Sequence, residues 1–103
     1  MSTNGRGKRP SPLSEHALRQ LIRVAIDKGY YREFLHHPER NISVDDCLHG
    51  LERDGWKLVK VEWSEKCQNF RYEILTCDVE SDELTLIVEA FASDKRIEFI
   101  TAW

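Results

Sequence analysis

The first part of the chain has the apolar spacing of an amphipathic helix over residues 14–28. Apolar side chains recur there at i, i+3, i+4 and i+7, which is the period of one buried helix face. The residues of this stripe are Leu18, Leu21, Ile22 and Ala25. Ser14 is a favourable N-cap, and Gly29 provides the C-terminal glycine that commonly ends a helix.

A second helix is predicted over residues 44–53. Its apolar stripe consists of Val44, Cys47, Leu48 and Leu51. Ser43 and Asp46 have the spacing of a capping box, and Gly55 is expected to end the helix. The segment between the two helices, residues 30–40, has no clear period. Its first apolar residues fit a helical turn, and they are Tyr30, Tyr31, Phe34 and Leu35.

From residue 56 onward the apolar period changes to two, which predicts four strands. Their approximate ranges are 56–63, 70–74, 84–91 and 96–103. The turn dipeptides Ser81-Asp82 and Ser93-Asp94 leave such short gaps that neighbouring strands have to form antiparallel hairpins. The third strand also carries Ile87 and Phe91 on its outer face. That pattern indicates either a small second core or an interaction surface.

The helices and the sheet each have an apolar face, and packing the two together buries both. The predicted fold class is therefore α+β, with two N-terminal helices packed on a four-stranded antiparallel sheet. Residues 13–103 form one domain of this kind. Residues 1–12, which are rich in Ser, Gly, Pro and Arg, are expected to be a disordered basic leader.

Composition limits the location and the partners. No apolar run approaches the roughly 20 residues that span a bilayer, and the N-terminus lacks the apolar segment of a signal peptide. We therefore expect a cytoplasmic protein without membrane contact. The formal net charge is −3. Without Arg6, Lys8 and Arg9 of the leader, 12 basic side chains face 18 acidic ones. Because phosphate affinity comes from Lys and Arg, any RNA contact needs a local basic patch.

Several motifs in order resemble a family of small bacterial domains of unknown function. The resemblance covers residues 19–103, and it consists of a helix that ends in a Gly-Tyr turn, a histidine, an Arg-Asn-Ile-Ser helix start, an Arg-containing strand and an Ile-Thr in the last strand. The corresponding residues are Gly29-Tyr30, His36 or His37, Arg40-Asn41-Ile42-Ser43, Phe70-Arg71-Tyr72 and Ile100-Thr101. That family is similar to the fold group of RelE- and ParE-type toxins and barnase-like ribonucleases.

The resemblance implies a RelE/barnase-like sheet and a metal-independent endoribonuclease of toxin type, with an antitoxin as partner and RNA as substrate. Such an enzyme needs a base for the 2′-hydroxyl, an acid for the leaving oxygen and cations for the phosphorane. The candidate catalytic residues are His36, His37, Arg40, Arg71 and Thr101, with Tyr72 as a further donor.

Structural roles are the alternative for the same residues. The two histidines fit a solvated loop, Arg40 can pair with Asp45 or Asp46, and Arg71 can face Glu89 on a neighbouring strand. No metal or cofactor is expected, because the histidines and the three cysteines, Cys47, Cys67 and Cys77, lack the spacing of a metal site.

The second functional hypothesis is a non-enzymatic protein-binding module on the same fold. It would act through contacts of the sheet and of an acidic hairpin tip. That tip consists of Asp78, Glu80, Asp82 and Glu83.

Overall fold

The computed structural model describes residues 11–33, 42–53 and 55–103. The two helices are α1 (Glu15–Lys28) and α2 (Val44–Glu52). The strands are β1 (Tyr31–Glu33), β2 (Lys57–Ser64), β3 (Asn69–Cys77), β4 (Glu83–Phe91) and β5 (Arg96–Ala102). One turn of 3₁₀ helix, Ala92–Asp94, joins the last two strands. The predicted α+β class is confirmed.

The prediction of a four-stranded antiparallel sheet is wrong. The sheet has five strands in the order β1-β5-β4-β3-β2, and β1 runs parallel to β5. Tyr31 is in register with Ile97, and the Ile97 amide donates to the Tyr30 carbonyl at 3.1 Å. The added strand satisfies backbone groups along β5 that would otherwise lie at an edge of the sheet.

The helical turn expected at Tyr30 and Tyr31 is also wrong, because the chain leaves the helix at Gly29. Gly29 has φ 75°, a left-handed conformation that glycine adopts without strain. The Tyr30 amide donates to the Ala25 carbonyl at 2.8 Å, which closes the last turn of α1. The chain then enters β1, where the Tyr31 ring packs 6.1 Å from the Phe99 ring. Phe34 and Leu35 lie outside the described residues.

Both predicted helix starts are confirmed by their caps. The Ser14 hydroxyl accepts from the Ala17 amide at 3.1 Å at the start of α1. In α2, the Ser43 hydroxyl accepts from the Asp46 amide, and the Asp46 carboxylate accepts from the Ser43 amide at 3.1 Å. These bonds satisfy amides that the first turn of a helix leaves without a partner.

The core lies between the two helices and one face of the sheet. Alternate residues of each strand point into it, as the period of two requires. Its fully buried large side chains are Leu18, Ile22, Cys47, Ile74, Leu84, Leu86, Val88, Ile97 and Phe99. The predicted two-layer packing on this face is confirmed. No helix in the described ranges is long and apolar enough to cross a membrane.

Helix α2 contacts β3 closely at Gly50. The Thr76 hydroxyl donates to the Gly50 carbonyl at 2.8 Å. A Cβ atom at position 50 would lie 2.6 Å from Thr76 Cγ2 and 3.0 Å from the Cys77 carbonyl oxygen. Only glycine, which has no Cβ, therefore fits at position 50 without a displacement of its neighbours.

Tyr72 connects the start of the domain to the sheet, and it gives the fold a pH dependence. The Leu13 amide donates to the Tyr72 hydroxyl at 2.9 Å. Burial raises the pKa of Tyr72, although the bond from Leu13 opposes this effect. The folded state therefore holds the phenolic proton more tightly than the unfolded chain does. This contribution to stability is complete below about pH 10, the ordinary tyrosine pKa, and is lost as the pH rises through the folded pKa.

We expect Tyr72→Phe to lower stability by about 1 kcal/mol at pH 8, because the Leu13 amide loses its acceptor. The difference between the variant and the wild type should shrink as the pH rises above about 10, because only the wild type has the buried phenol to ionise. Melting temperatures of both proteins across this range measure the difference. A difference that stays constant with pH would contradict the assignment.

Candidate functional site

The face of the sheet opposite the two helices is called here the open face. No element of the described ranges packs on it. Strand pairing places on this face the residues that alternate with the core positions. Its basic residues are Arg32, Lys57, Lys60, Arg71 and Arg96, and its acidic residues are Glu62, Glu73, Glu83, Glu89 and Glu98. Equal numbers of each sign make this face neutral, although the chain as a whole is acidic.

Five of these residues form a single row that crosses all five strands, called here the charged row. Cross-strand partners run in the order Glu62, Arg71, Glu89, Glu98 and Arg32, from β2 to β1. Adjacent strands are about 4.8 Å apart, so the row spans about 19 Å. A row of this kind arises only if the strand registers are fixed. If one strand slipped by one residue, all of its open-face side chains would turn towards the core.

Arg71 and Glu89 are the best-defined pair in the charged row. Arg71 Nε donates to Glu89 Oε2 at 3.0 Å. Glu89 is only 4% exposed, although no described element covers the open face. The hydrogen bond to Glu89 raises the pKa of Arg71, so the guanidinium stays charged. The prediction that Arg71 faces Glu89 on a neighbouring strand is confirmed.

A second arginine, Arg96, is held at the β1 side of the face. Its guanidinium contacts Glu98 Oε2 at 3.3 Å and Asp94 Oδ2 at 3.4 Å. The same guanidinium stacks over the Phe91 ring, with the central carbon 4.4 Å from the ring centroid. Such contacts fix the position of charged groups before any partner binds, which reduces the entropy lost on binding.

Apolar side chains lie on both sides of the charged row. Leu75, Ile87 and Phe91 are half-buried, and Trp103 is 41% exposed. Thr85 and Trp103 exchange two backbone hydrogen bonds of 2.7 and 2.9 Å, so the last residue continues the sheet beyond β5. A second core over Ile87 and Phe91 was one of the two predicted alternatives, and the described ranges contain none. For these side chains, the interaction surface therefore stays a prediction.

The predicted catalytic residues lie only partly within the described ranges. His36, His37 and Arg40 lie outside the described residues. Arg71 and Thr101 are both on the open face, but β4 separates their strands, and their rows differ. We place them about 12 Å apart from strand spacing and rise. Thr101 Oγ1 is buried without a hydrogen-bond partner. The structure does not bring these two together.

The cysteines and the hairpin tip have local roles. Cys47 is buried, whereas Cys67 is exposed and its sulfur accepts from Arg71 Nη2 at 3.4 Å. At the tip, Asp78 Oδ1 accepts from the amides of Glu80 and Asp82, both at 2.9 Å. Within the described ranges, no three metal-ligating side chains form a group.

A cleft of about 420 Å³ lies between α1 and α2 on the far side of the molecule. Arg19 stacks 3.8 Å from the Trp56 ring centroid there, donates to the Trp56 carbonyl and pairs with Glu15 at 3.0 Å. Asp27 and Glu52 line the same cleft. Its charges are therefore mixed, and Arg19 serves to pack α1 against the residue that precedes β2.

Sequence reasoning missed the charged row as a unit. The pairing of Arg71 with Glu89 could be predicted, because the hairpin that joins their strands is local in sequence. Glu98 joins the row through the pairing of β5 with β4, and Arg32 joins it only through β1, which the sequence pattern did not predict. No family model, curated protein or solved structure matches this chain, and the resemblance to small bacterial domains therefore stays a prediction.

Proposed function

We propose that this chain is a non-enzymatic protein-binding module and that the open face of its sheet is the binding surface. The observation that carries the proposal is the charged row, flanked by half-buried apolar side chains and without a covering element in the described ranges. Protein interfaces combine an apolar centre with fixed polar groups in this manner.

The central strand supports this proposal most directly. On the core face, β4 buries Leu84, Leu86 and Val88. On the open face, it also carries Ile87 and Phe91 beside Thr85 and Glu89, so the strand presents apolar side chains on both sides. An antiparallel sheet with one solvated face normally alternates apolar and polar residues. Apolar residues on the second face are therefore consistent with a partner that covers them.

The charge distribution favours a protein over a nucleic acid. Nucleic-acid affinity depends on uncompensated Lys and Arg. The open face has as many acidic as basic residues, and Arg71 and Arg96 already contact carboxylates. A balanced, ion-paired surface instead suits the alternating charges of another protein.

The ribonuclease interpretation stays a prediction, since three of its candidate residues lie outside the described ranges. Its Arg71 is engaged by Glu89 and Cys67. Transition-state stabilisation of a phosphorane needs donors aimed at the substrate. We therefore favour the binding role for the residues that are described.

A photo-crosslinking experiment tests the proposal. A benzophenone amino acid replaces Leu75 on the open face in one variant and Gln20, an exposed residue of α1, in the control. After irradiation of cells that carry the gene, we expect discrete protein adducts from the Leu75 variant only. Equal adducts from both positions, or none from Leu75, would contradict binding through the open face.

The same purified chain should not cleave RNA. We expect full-length RNA after incubation with folded wild-type protein, as judged by gel electrophoresis. Cleavage that His37→Ala abolishes without lowering the melting temperature would reject the non-enzymatic function and support the ribonuclease alternative.

A further inference from the structure

We infer that the open face binds a second copy of this chain, related to the first by a two-fold axis along β4. This inference rests on the proposed function and specifies its partner. Strand β4 is the middle strand of the five. A two-fold rotation about it therefore keeps each cross-strand row at its level and reverses the strand order above it, so that β3 faces β5 and β2 faces β1 of the second copy.

The charged row is complementary to its own reverse. After the rotation, Arg71 on β3 lies opposite Glu98 of the second copy, and Glu62 on β2 lies opposite Arg32. Each pair occurs twice because the symmetry is two-fold. Opposite charges therefore meet at four of the five positions of the row.

The fifth position of the row lies on the two-fold axis, where Glu89 of one copy faces Glu89 of the other. Two carboxylates in contact would repel each other. Glu89, however, is 4% exposed and bonded to Arg71 Nε, so its charge is already compensated within each chain. The like-charged position is thus the one at which the side chain is withdrawn from the surface.

The apolar residues obey the same symmetry. Leu75 on β3 and Trp103 after β5 both flank Thr85 of β4, on opposite sides. The rotation therefore places Leu75 against Trp103 of the second copy. Ile87 and Phe91 lie on the axial strand and meet their own copies. The 41% exposure of Trp103 in the single chain is consistent with this contact.

Geometry permits the pairing. A two-fold axis along β4 keeps the strands of the two sheets aligned, which lies within the range of up to about 30° that packed sheets adopt. The open face measures about 24 by 25 Å by strand spacing and rise. It would bury about 1,200 Å² in total, the lower limit of a specific interface. We therefore expect a weak dimer.

The edge of the sheet favours a closed pair over a growing assembly. The outer strand β2 has an irregular register between Leu58 and Lys60 and exposes two lysines, Lys57 and Lys60. Bulges and lysines are the features that prevent edge-to-edge pairing of strands. Association through the face then stops at two copies.

Sedimentation equilibrium with a charge swap tests the inference. Wild-type protein between about 1 µM and 1 mM should approach twice its 12.1 kDa mass. Glu62→Arg and Arg32→Glu should each raise the dimer Kd about ten-fold, because like charges then meet across the axis. The double variant Glu62→Arg/Arg32→Glu should restore the wild-type Kd to within about three-fold. As a control, Lys28→Glu at the end of α1 should leave the Kd unchanged.

Recovery of the dimer Kd by the double variant requires a contact between two copies. Within one chain, positions 62 and 32 lie on opposite edges of the sheet, about 19 Å apart, so a swap has no internal contact to restore. If a single substitution reduces folding, Ile87→Arg at the axis provides the second variant and should also dissociate the dimer. A monomeric wild type at all concentrations, or a swap without rescue, would overturn the inference. Crosslinking of Leu75 to a different protein would still support the proposed function.

Discussion

Gly50→Ala is expected to destabilise the protein by about 2 kcal/mol, although alanine is the better helix former. The new Cβ would lie 2.6 Å from Thr76 Cγ2 and 3.0 Å from the Cys77 carbonyl oxygen. Real contacts are not that short, so α2 has to move away from β3. That movement also lengthens the bond from the Thr76 hydroxyl to the Gly50 carbonyl. Urea denaturation at a protein concentration of about 1 µM measures the loss without a contribution from association.

Two further variants separate the clash from a general effect of alanine. Gly55→Ala has no atom within 4 Å of the new Cβ, and its φ is not positive, so it should change stability little or increase it slightly. Thr76→Ser removes Cγ2 but keeps the hydroxyl that bonds to Gly50. In the Gly50→Ala/Thr76→Ser double variant we therefore expect partial recovery. Equal effects of the two alanine substitutions would show that the close approach at Gly50 has no energetic weight.

The helices could be predicted from the sequence because the interactions that define them are local. Each helix start depends on a serine and on an amide three residues later, and both are within one turn. The end of α1 depends on one glycine with a positive φ. Apolar stripes then specify which side faces the core. None of these features requires knowledge of a distant partner.

Strand β1 could not be predicted in this way, for two physical reasons. It has three residues, fewer than the number over which a period of two can be recognised. Its partner, β5, also begins more than sixty residues later in the chain, so that no turn sequence connects the two. The aromatic pair Tyr30-Tyr31 fits a helical turn equally well from the sequence alone, and only the parallel pairing with Ile97 distinguishes the two outcomes.

The same limit applies to the candidate site. Arg71 and Glu89 belong to neighbouring strands of one hairpin, and sequence spacing placed them opposite each other. Glu98 joins them through the next hairpin, where it pairs with Glu89 on the turn side of a register shift between Ile87 and Val88. Arg32 joins only through β1. The charged row is therefore a property of the complete sheet, and its symmetry about β4 becomes visible only with the fifth strand.

Arg71→Leu is expected to destabilise the protein by about 2–3 kcal/mol, because the nearly buried carboxylate of Glu89 would lose its cation. Glu89→Leu should cost less, about 1 kcal/mol, since Arg71 has 36% of its side chain exposed and can be solvated when its partner is absent. The double variant Arg71→Leu/Glu89→Leu should lie within about 1 kcal/mol of the wild type, as is common when a buried ion pair is replaced by apolar residues. Denaturation at about 1 µM protein gives the coupling free energy of this cycle, and we expect about 3 kcal/mol. Additive effects of the two substitutions would mean that the 3.0 Å contact between Arg71 Nε and Glu89 Oε2 contributes nothing, and that Glu89 is accommodated on the open face by other groups.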